Sequence, residues 1–198
     1  MSLVGVYQSE NVAAAVAALD ALRLRGVPLE DECLAHGLAH TCWPGRLQVL
    51  ARHPLLLLDG AHNPASMRRL AESVALLQRG NDIVFVLGFS GDKDVRGAVR
   101  ELLHLGGRVV LSVSSQPRAL PPRDMAVCIA DLGLDAVCES DPNMALWRAR
   151  SMVDAAGMVV VSGSLYLVGE VLGGWLNDKQ SPMRWVSVPG VMTRRAGR

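Results

Sequence analysis

Length, composition and charge place the chain among ordinary globular proteins. Its 198 residues are half apolar and one-fifth charged, which allows one full domain with a sizeable core and a smaller appended piece. The formal net charge of +1 gives no electrostatic reason to expect nucleic acid or a membrane surface as the main partner.

The first part of the chain is predicted to be mainly helical. Residues 11–24, NVAAAVAALDALRL, are rich in alanine and carry apolar side chains at helical spacing, and a glycine and a proline then stop the helix. A second helix is expected from Leu29 to about His40, because acidic residues occupy its first turn. A turn and a short strand, Leu47–Leu50, follow. Residues 1–50 therefore have the character of the end of a larger domain.

Beyond Arg52 the sequence alternates between short apolar strands and helices. The predicted strands are Leu55–Leu58, Ile83–Leu87, Val109–Val113, Ala136–Cys138 and Met158–Val161. The predicted helices are Ala65–Leu77, Val95–Leu103, Arg123–Asp131, Pro142–Ala155 and Leu165–Leu176. This alternation is typical of βαβ units. The predicted fold class is α/β, a Rossmann-like, mostly parallel sheet with helices on both faces, preceded by a short helical segment.

The cysteines and the lack of export signals favour the cytoplasm. No CxxC pair occurs, and a chain of this size needs no disulfides to fold, so the cysteines are interpreted as reduced thiols. These are Cys33, Cys42, Cys128 and Cys138. No run of eighteen apolar residues and no basic amino terminus followed by an apolar stretch is present, so neither a membrane span nor a secretory signal is expected. Residues 181–198 lack periodicity and are expected to form an extra strand or a loose tail.

Polar residues follow the first predicted strand of the sheet, in the sequence DGAHNP. Open α/β sheets bind their ligands at this end of the strands. There the Asp59 carboxylate can accept hydrogen bonds from two hydroxyl groups of a ribose, and His62 can contact a phosphate or an acidic substrate. The alternative is that Asp59 or Asn63 only caps the helix that follows. The local sequence leaves both interpretations open.

Two cations stand at turns where they can meet an anion. Arg46 lies between a tight turn and an apolar strand, where its planar fork can bind a phosphate, or where it can simply be solvated beside a buried Trp43. Lys93 lies between Asp92 and Asp94 after the strand VFVLGF. It can contact a substrate carboxylate or phosphate, but an ion pair within the loop is the favoured interpretation.

Two further clusters have structural alternatives. The small residues at 162–164 open a helix whose free amides can meet an anion, or Ser164 can act as a simple cap. Four residues could in principle bind zinc: Cys33, His36, His40 and Cys42. The favoured interpretation is that the histidines are solvated on a helix, and no metal site is predicted.

A phosphate-binding loop is missing from the sequence. Such a loop has the pattern GxxxxGK[ST], and neither Lys93 nor Lys179 follows a glycine. We therefore predict that the chain does not bind and cleave a nucleoside triphosphate unaided.

Six stretches, taken in order, resemble the folylpolyglutamate synthase and dihydrofolate synthase branch of the Mur ligase superfamily. They span about residues 7–176 and read QSENVAAAVAALDAL, WPGRLQVL, LLLDGAHNP, VLGFSGDKD, SSQPRAL and VSGSLYLVGEV. The resemblance implies an ATP-dependent ligase that adds glutamate to a folate or pteroate carboxylate through an acyl phosphate. The implied cofactors are ATP and magnesium, and the implied partners are glutamate, a folate or dihydropteroate, and an upstream ATPase half.

The resemblance also implies a domain organisation. Residues 1–50 would be the remnant of the central ATPase domain, residues 51–180 the Rossmann-like carboxyl-terminal domain, and residues 181–198 a tail. The phosphate loop and the magnesium ligands would all precede Val4. The chain is therefore expected to be a carboxyl-terminal fragment or a separately encoded half, inactive alone.

By the same resemblance, seven residues are assigned to the ligands. Those on the nucleotide side are Asn11 for the adenine, Arg46 for the phosphates, Asp59 for the ribose, and His62. Those on the glutamate side are Lys93, Ser115 and Arg118. The resemblance gives catalytic roles to Arg46, His62 and Lys93. Two other identities remain as alternatives. One is a nucleotide-binding module without catalysis, and the other is the carboxyl-terminal domain of a muramyl-peptide ligase. The GSLYLVGEV stretch argues against the second, because it resembles the folate-type enzymes.

Overall fold

The computed structural model describes residues 7–78 and 82–177, which form two compact units that divide between Pro44 and Gly45. The predicted tail at 181–198 lies outside the described residues. The second unit begins ahead of residue 51, the boundary expected from sequence, because the strand after Gly45 pairs with the next strand of the sheet. No helix in the described ranges has both the length and the apolar content that a bilayer-spanning segment needs.

The first unit contains the helices α1, Tyr7–Leu24, and α2, Asp31–His40. Arg23 connects them, because its guanidinium donates to the carbonyl of Leu29 at 2.6 Å and pairs with Asp31 at 2.7 Å. α2 begins later than predicted, since Glu30 is extended and acts as the N-cap. The two helices that the sequence predicts are therefore present with shifted amino-terminal ends.

The second unit is a six-stranded sheet in the order β1-β2-β6-β3-β4-β5, with helices on both faces. The strands are β1 Gln48–Arg52, β2 Leu55–Leu58, β3 Ile83–Leu87, β4 Arg108–Leu111, β5 Ala136–Cys138 and β6 Met158–Ser162. Every neighbouring pair is parallel except β1 and β2. The predicted α/β fold class with a mostly parallel sheet is confirmed.

Helices cover both faces of the sheet. They are α3 Pro64–Leu77, α4 Val95–Arg100, α5 Pro122–Ile129, α6 Pro142–Ser151 and α7 Leu165–Asn177. α4 ends earlier than predicted and is followed by a 3-10 turn at Leu103–Leu105. α6 also ends early, at Ser151, and in the segment that follows the Asp154 side chain accepts from the amide of Ala156.

The strand side chains alternate between two apolar layers. Phe85 and Val160 face the core formed with α3, α4 and α5. Their neighbours in sequence point to the opposite face, where α6 packs on β3 and α7 on β6. β3 and β6 are buried along their whole lengths, as expected for parallel strands covered on both sides.

The loops that follow β2, β3, β4 and β6 gather at one edge of the sheet because these strands are parallel. Backbone hydrogen bonds join neighbouring loops, from Gly163 to the carbonyl of Ala61 at 2.8 Å and from Ser112 to the carbonyl of Leu87 at 2.8 Å. Gly163 has a φ of 97°, and a Cβ at this position would collide with the backbone of Gly88. This edge carries six of the seven residues assigned from the sequence.

Candidate functional site

Asp59 is a buried carboxylate that joins two backbone segments. Asp59 is only 3% exposed. Its Oδ2 accepts a hydrogen bond from the amide of Leu47 and its Oδ1 accepts one from the amide of Ala61, both at 2.8 Å. Hydrogen bonds from amides to an ionised carboxylate are stronger than those between neutral groups. Asp59 therefore fastens the turn before β1 to the loop after β2. Its predicted contact with a ribose stays a prediction.

Arg46 is held in the middle of this turn. Gly45 before it has a φ of 71° and Leu47 after it a φ of 43°, so left-handed residues flank the arginine on both sides. The turn is fixed further by a 2.8 Å hydrogen bond from the amide of Gly60 to the carbonyl of Gly45. Within the described part of the chain, the half-buried Arg46 guanidinium makes no ion pair or hydrogen bond. The turn therefore fixes where Arg46 leaves the backbone, and no described carboxylate compensates its charge.

The alternative interpretation of Arg46 placed it beside a buried tryptophan. Trp43 is instead 62% exposed. The arginine is therefore not positioned by an indole in the protein interior. The turn that carries it is held by the Asp59 carboxylate and by the hydrogen bond between Gly60 and Gly45.

His62 stands at the other side of the same loop with one ring nitrogen engaged. Nδ1 lies 2.9 Å from the carbonyl of Gly60. Because a carbonyl only accepts, Nδ1 must carry the proton of this bond, and Nε2 of the neutral ring is left as an acceptor. The amide of His62 donates to Ser66 Oγ at 3.0 Å, which fixes the backbone below the ring.

The helix-capping interpretation holds for Asn63 and not for Asp59. Asn63 Oδ1 accepts from the amide of Ser66 at 2.8 Å, and Ser66 Oγ accepts from the amide of Asn63 at 3.1 Å. These reciprocal bonds form a capping box at the start of α3. Ser164 likewise caps α7, since its hydroxyl accepts from the amide of Tyr166 at 3.1 Å.

Lys93 forms the loop ion pair that the sequence favours. Its Nζ lies 2.9 Å from Asp92 Oδ2, and this hydrogen bond, with the nearby charge of Arg118, holds the pKa of Asp92 below its usual value. Asp94 has a separate role, because its carboxylate caps α4 by accepting from the amide of Gly97 at 2.8 Å. A contact between Lys93 and glutamate stays a prediction.

The predicted glutamate-side residues lie on neighbouring loops. The amide of Gly91 donates to the carbonyl of Arg118 at 2.9 Å, which brings the Lys93 loop against the Arg118 loop. Ser115 is engaged from another direction, since its amide and its hydroxyl both donate to Glu170 Oε1 at 2.8 Å. Sequence reasoning missed Glu170, although an isolated acid in the apolar helix LYLVGEV was a signal that could have found it.

Asn11 lies in the first compact unit, where its Nδ2 donates to Gln8 Oε1 at 3.1 Å. Its assigned contact with adenine stays a prediction. In the same unit the rings of His36 and His40 stack at 4.0 Å. Over residues 7–78 and 82–177, no group of three or more His, Cys, Asp or Glu side chains could hold a metal ion. All four cysteines are free thiols.

Known proteins with similar sequence are ligases. The chain is 28% identical over 171 residues to the dihydrofolate synthase/folylpolyglutamate synthase of Bacillus subtilis. This alignment covers 86% of this chain and 39% of that protein. A UDP-N-acetylmuramoyl-L-alanyl-D-glutamate–L-lysine ligase of Streptococcus agalactiae matches at 40% identity, but over only 47% of the chain. The muramyl-peptide alternative is therefore the weaker one.

Solved structures agree with this relationship. A Mycobacterium tuberculosis folylpolyglutamate synthase complexed with ADP and AMPPCP superposes with a TM-score of 0.79 at 29% identity, over 86% of this chain and 40% of that protein. A bifunctional folylpolyglutamate synthase/dihydrofolate synthase with Mn, AMPPNP and L-glutamate bound gives a TM-score of 0.74 at 30% identity, over 87% and 40%. The chain thus spans about two-fifths of the length of these relatives.

The part that matches is the carboxyl-terminal one. The resemblance inferred from the six ordered stretches is confirmed by these relatives. Residues 45–165 match the family described as Mur ligase, glutamate ligase domain, and the chain therefore belongs to the Mur ligase family, as a carboxyl-terminal part of its folylpolyglutamate synthase and dihydrofolate synthase branch.

Proposed function

We propose that the chain is the carboxyl-terminal domain of an ATP-dependent ligase that joins glutamate to a folate or pteroate carboxylate, and that it does not turn over alone. In this proposal, the unit that ends at Pro44 is the end of the central ATPase domain, and the unit that begins at Gly45, slightly ahead of the expected boundary at residue 51, is the carboxyl-terminal domain. The observation that carries the proposal is the uncompensated Arg46 guanidinium, mounted by Asp59 at the carboxyl edge of the sheet.

The chemistry needs a positive charge at the phosphates. Such a ligase transfers the terminal phosphoryl group of ATP to the carboxylate, and the amine of glutamate then displaces phosphate to give an amide. The fork of Arg46 can pair with phosphate oxygens bidentately, and Nε2 of His62 can accept a proton or a hydrogen bond beside it. A cation brought over the nucleotide by a second domain completes a site that neither domain provides alone.

Asp59 is more consistent with positioning Arg46 than with holding a ribose. It is 3% exposed, and both of its oxygens already accept amide hydrogen bonds. Lys93, Ser115 and Arg118 are assigned to glutamate. The pair between Lys93 and Asp92 would have to open for this contact, which is a small cost for a surface ion pair.

Magnesium does not fit the described residues, since they offer no cluster of three candidate ligands. The proposal therefore assigns its ligands to an upstream ATPase half, and it gives the residues of this chain no step through the metal. Cytoplasmic location is part of the proposal, because folate and ATP are intracellular metabolites for such an enzyme.

The test is a chimaera in which this chain replaces the matching carboxyl-terminal part of the Bacillus subtilis relative. With ATP, magnesium, glutamate and dihydropteroate, the chimaera should form the glutamylated product, detected by mass spectrometry. Arg46→Ala should abolish product, whereas Arg52→Ala, at an exposed arginine of β1, should not. Product formation by the chain alone, or full activity of Arg46→Ala, would contradict the proposal.

The same assay separates the rival functions. A muramyl-peptide ligase domain would restore activity only toward a UDP-muramyl peptide acceptor. A binding module without catalysis would bind nucleotide in the chimaera and form no product with either acceptor.

A further inference from the structure

A cavity of about 280 Å³ opens between α6 and α7, and we call it the α6–α7 cavity. α7 begins with Leu165, which lies against Gly60 in the candidate site. The cavity is at the other end of this helix, beside Gly174. At about 1.5 Å per residue, Gly174 is roughly 13 Å further along the helix axis. The cavity is therefore separate from the loops that carry Arg46 and His62.

The guanidinium of Arg150 lines the cavity between two tryptophan rings. Its Cζ lies 5.4 Å from the ring centroid of Trp147 and 5.0 Å from that of Trp175. Cation–π contacts at this distance orient the guanidinium and lower its mobility. Since cation–π contacts use the face of a guanidinium, its terminal N–H groups remain to meet an acceptor.

No described residue balances the charge of Arg150. Its Nε is buried and has no hydrogen-bond partner in the part of the chain that the structure describes. Among the described residues, no carboxylate lies within ion-pair distance of this guanidinium. Buried donors are almost always satisfied in folded proteins, and a charged donor is the most costly to leave unpaired. The terminal nitrogens are the groups of this guanidinium that an anionic ligand in the cavity can reach, and pairing with them would balance its charge.

The walls indicate what the anion is attached to. Leu146 provides a buried apolar surface. Trp147, which also lines the cavity, is 53% exposed, so part of its ring is free to contact a ligand. The amides of Asn143 and Asn177 add polar groups that can orient a ligand. A bare inorganic anion would use the charge and leave the apolar wall in contact with water.

We propose that the α6–α7 cavity binds a small aromatic carboxylate. Arg150 pairs with the carboxylate through its terminal N–H groups, and the aromatic ring packs on the exposed indole of Trp147. The cavity volume lies just below the usual range for ligand pockets, about 300–1,000 Å³, so the ligand is a single-ring compound.

The test uses benzoate as the probe and the full ¹⁵N-labelled chain. Benzoate should shift the Nε–H signal of Arg150 and the indole N–H signals of Trp147 and Trp175 in a saturable way. Arg150→Met should weaken benzoate binding at least tenfold. Arg148→Met is the matched control, because it removes the same charge from an exposed position of the same helix, and it should leave binding unchanged.

A second variant keeps the test decisive if Arg150→Met does not fold. Trp147→Ala retains the cation and should weaken benzoate several-fold while leaving the response to inorganic phosphate unchanged. Three results would overturn the proposal: no saturable shift with benzoate, equal weakening by Arg148→Met and Arg150→Met, or identical shifts with inorganic phosphate at the same concentration. None of these results bears on the proposed ligase function, since no residue of the cavity takes part in it.

Discussion

The carboxylate of Asp59 accepts a 2.8 Å hydrogen bond from the amide of Leu47, twelve positions earlier in the chain. Leu47 has a φ of 43°, in a region that is unfavourable for a residue with a bulky side chain, and it is nevertheless 1% exposed and firmly packed. Because Leu47 directly follows Arg46, this bond sets where the arginine leaves the backbone. Asp59 and Arg46 therefore act as one unit, and a change at either should affect the other.

Replacing Asp59 with asparagine should lower the free energy of unfolding by about 1–3 kcal/mol. The amide has one acceptor oxygen, so the N–H of either Leu47 or Ala61 would face a second donor in a buried site. Urea unfolding followed by circular dichroism measures the loss. Asp135→Asn, at an exposed acid whose carboxylate makes no hydrogen bond within the described residues, should be neutral. Equal stability of both variants would show that these bonds do not hold the turn.

Nucleotide discrimination should separate positioning from ribose contact at Asp59. In the chimaera, Asp59→Asn should weaken ATP and 2′-deoxy-ATP by the same factor, because the buried carboxylate acts through the Arg46 turn. Calorimetric titration of both nucleotides into the wild type and the variant measures this. If the wild type prefers ATP and the variant loses that preference, Asp59 contacts the 2′-hydroxyl and the positioning role is wrong.

Glu170 should control the mobility of the loop that carries Ser115. Two donors of Ser115 share Glu170 Oε1, so Glu170→Ala removes both bonds at once. A loss of about 1 kcal/mol in local stability corresponds to roughly fivefold faster amide exchange at Ser115. Hydrogen exchange read by NMR measures this rate. Glu72→Ala, at an exposed acid of α3, should leave it unchanged, and an unchanged rate in Glu170→Ala would contradict the prediction.

The sequence predicts the sheet better than it predicts the site. The strands Leu55–Leu58 and Ile83–Leu87 have the predicted bounds, because each is a continuous apolar run with a proline or an acid before it and an acid or a glycine after it. β4 ends at Leu111 rather than Val113, since the amide of Ser112 makes the last bond to β3 before the chain diverges. Local patterns determine such elements, and their ends depend on neighbouring strands.

The candidate site depends on contacts that no local pattern contains. The bond from Leu47 to Asp59 requires the antiparallel pairing of β1 with β2, and the bond from Ser115 to Glu170 joins residues 55 positions apart. Sequence motifs could place Arg46, Asp59 and His62 near one edge. They could not show that Asp59 is occupied by backbone amides while Arg46 is left without a partner.

The capping box of α3 should behave as a coupled pair. Asn63→Ala should cost about 1–2 kcal/mol of unfolding free energy, as is usual for loss of an N-cap. Ser66→Ala should also destabilise, because it removes the acceptor for the amides of His62 and Asn63. Since the two side chains satisfy each other's backbone, the double variant should lose less than the sum of the single variants in urea unfolding. Strict additivity would mean that the two caps act independently.

Acid should destabilise the protein partly through the ion pair between Arg68 of α3 and Glu101 after α4. Two hydrogen bonds of 2.9 Å join the guanidinium fork to both carboxylate oxygens. The hydrogen bond from Arg68, and then its charge, hold the pKa of Glu101 below the usual 4.5 in the folded protein. A carboxyl group with a lowered folded pKa stabilises the fold above its unfolded pKa, and this contribution is lost as the pH falls through the folded value.

Arg68→Met should therefore lower the urea midpoint at neutral pH and flatten its fall below about pH 4.5, where an unperturbed glutamate is roughly half protonated. Urea unfolding at a series of pH values, for the wild type and the variant, measures both effects. Arg148→Met is the control, because this exposed arginine of α6 makes no ion pair within the described residues, and its curve should parallel the wild type. High salt should reduce the difference between wild type and Arg68→Met, since exposed pairs are screened. If Arg68→Met instead keeps the full acid dependence of the wild type, then Glu101 is not responsible for it, and other carboxylates with lowered pKa values, such as Asp131 beside Arg96, account for the loss.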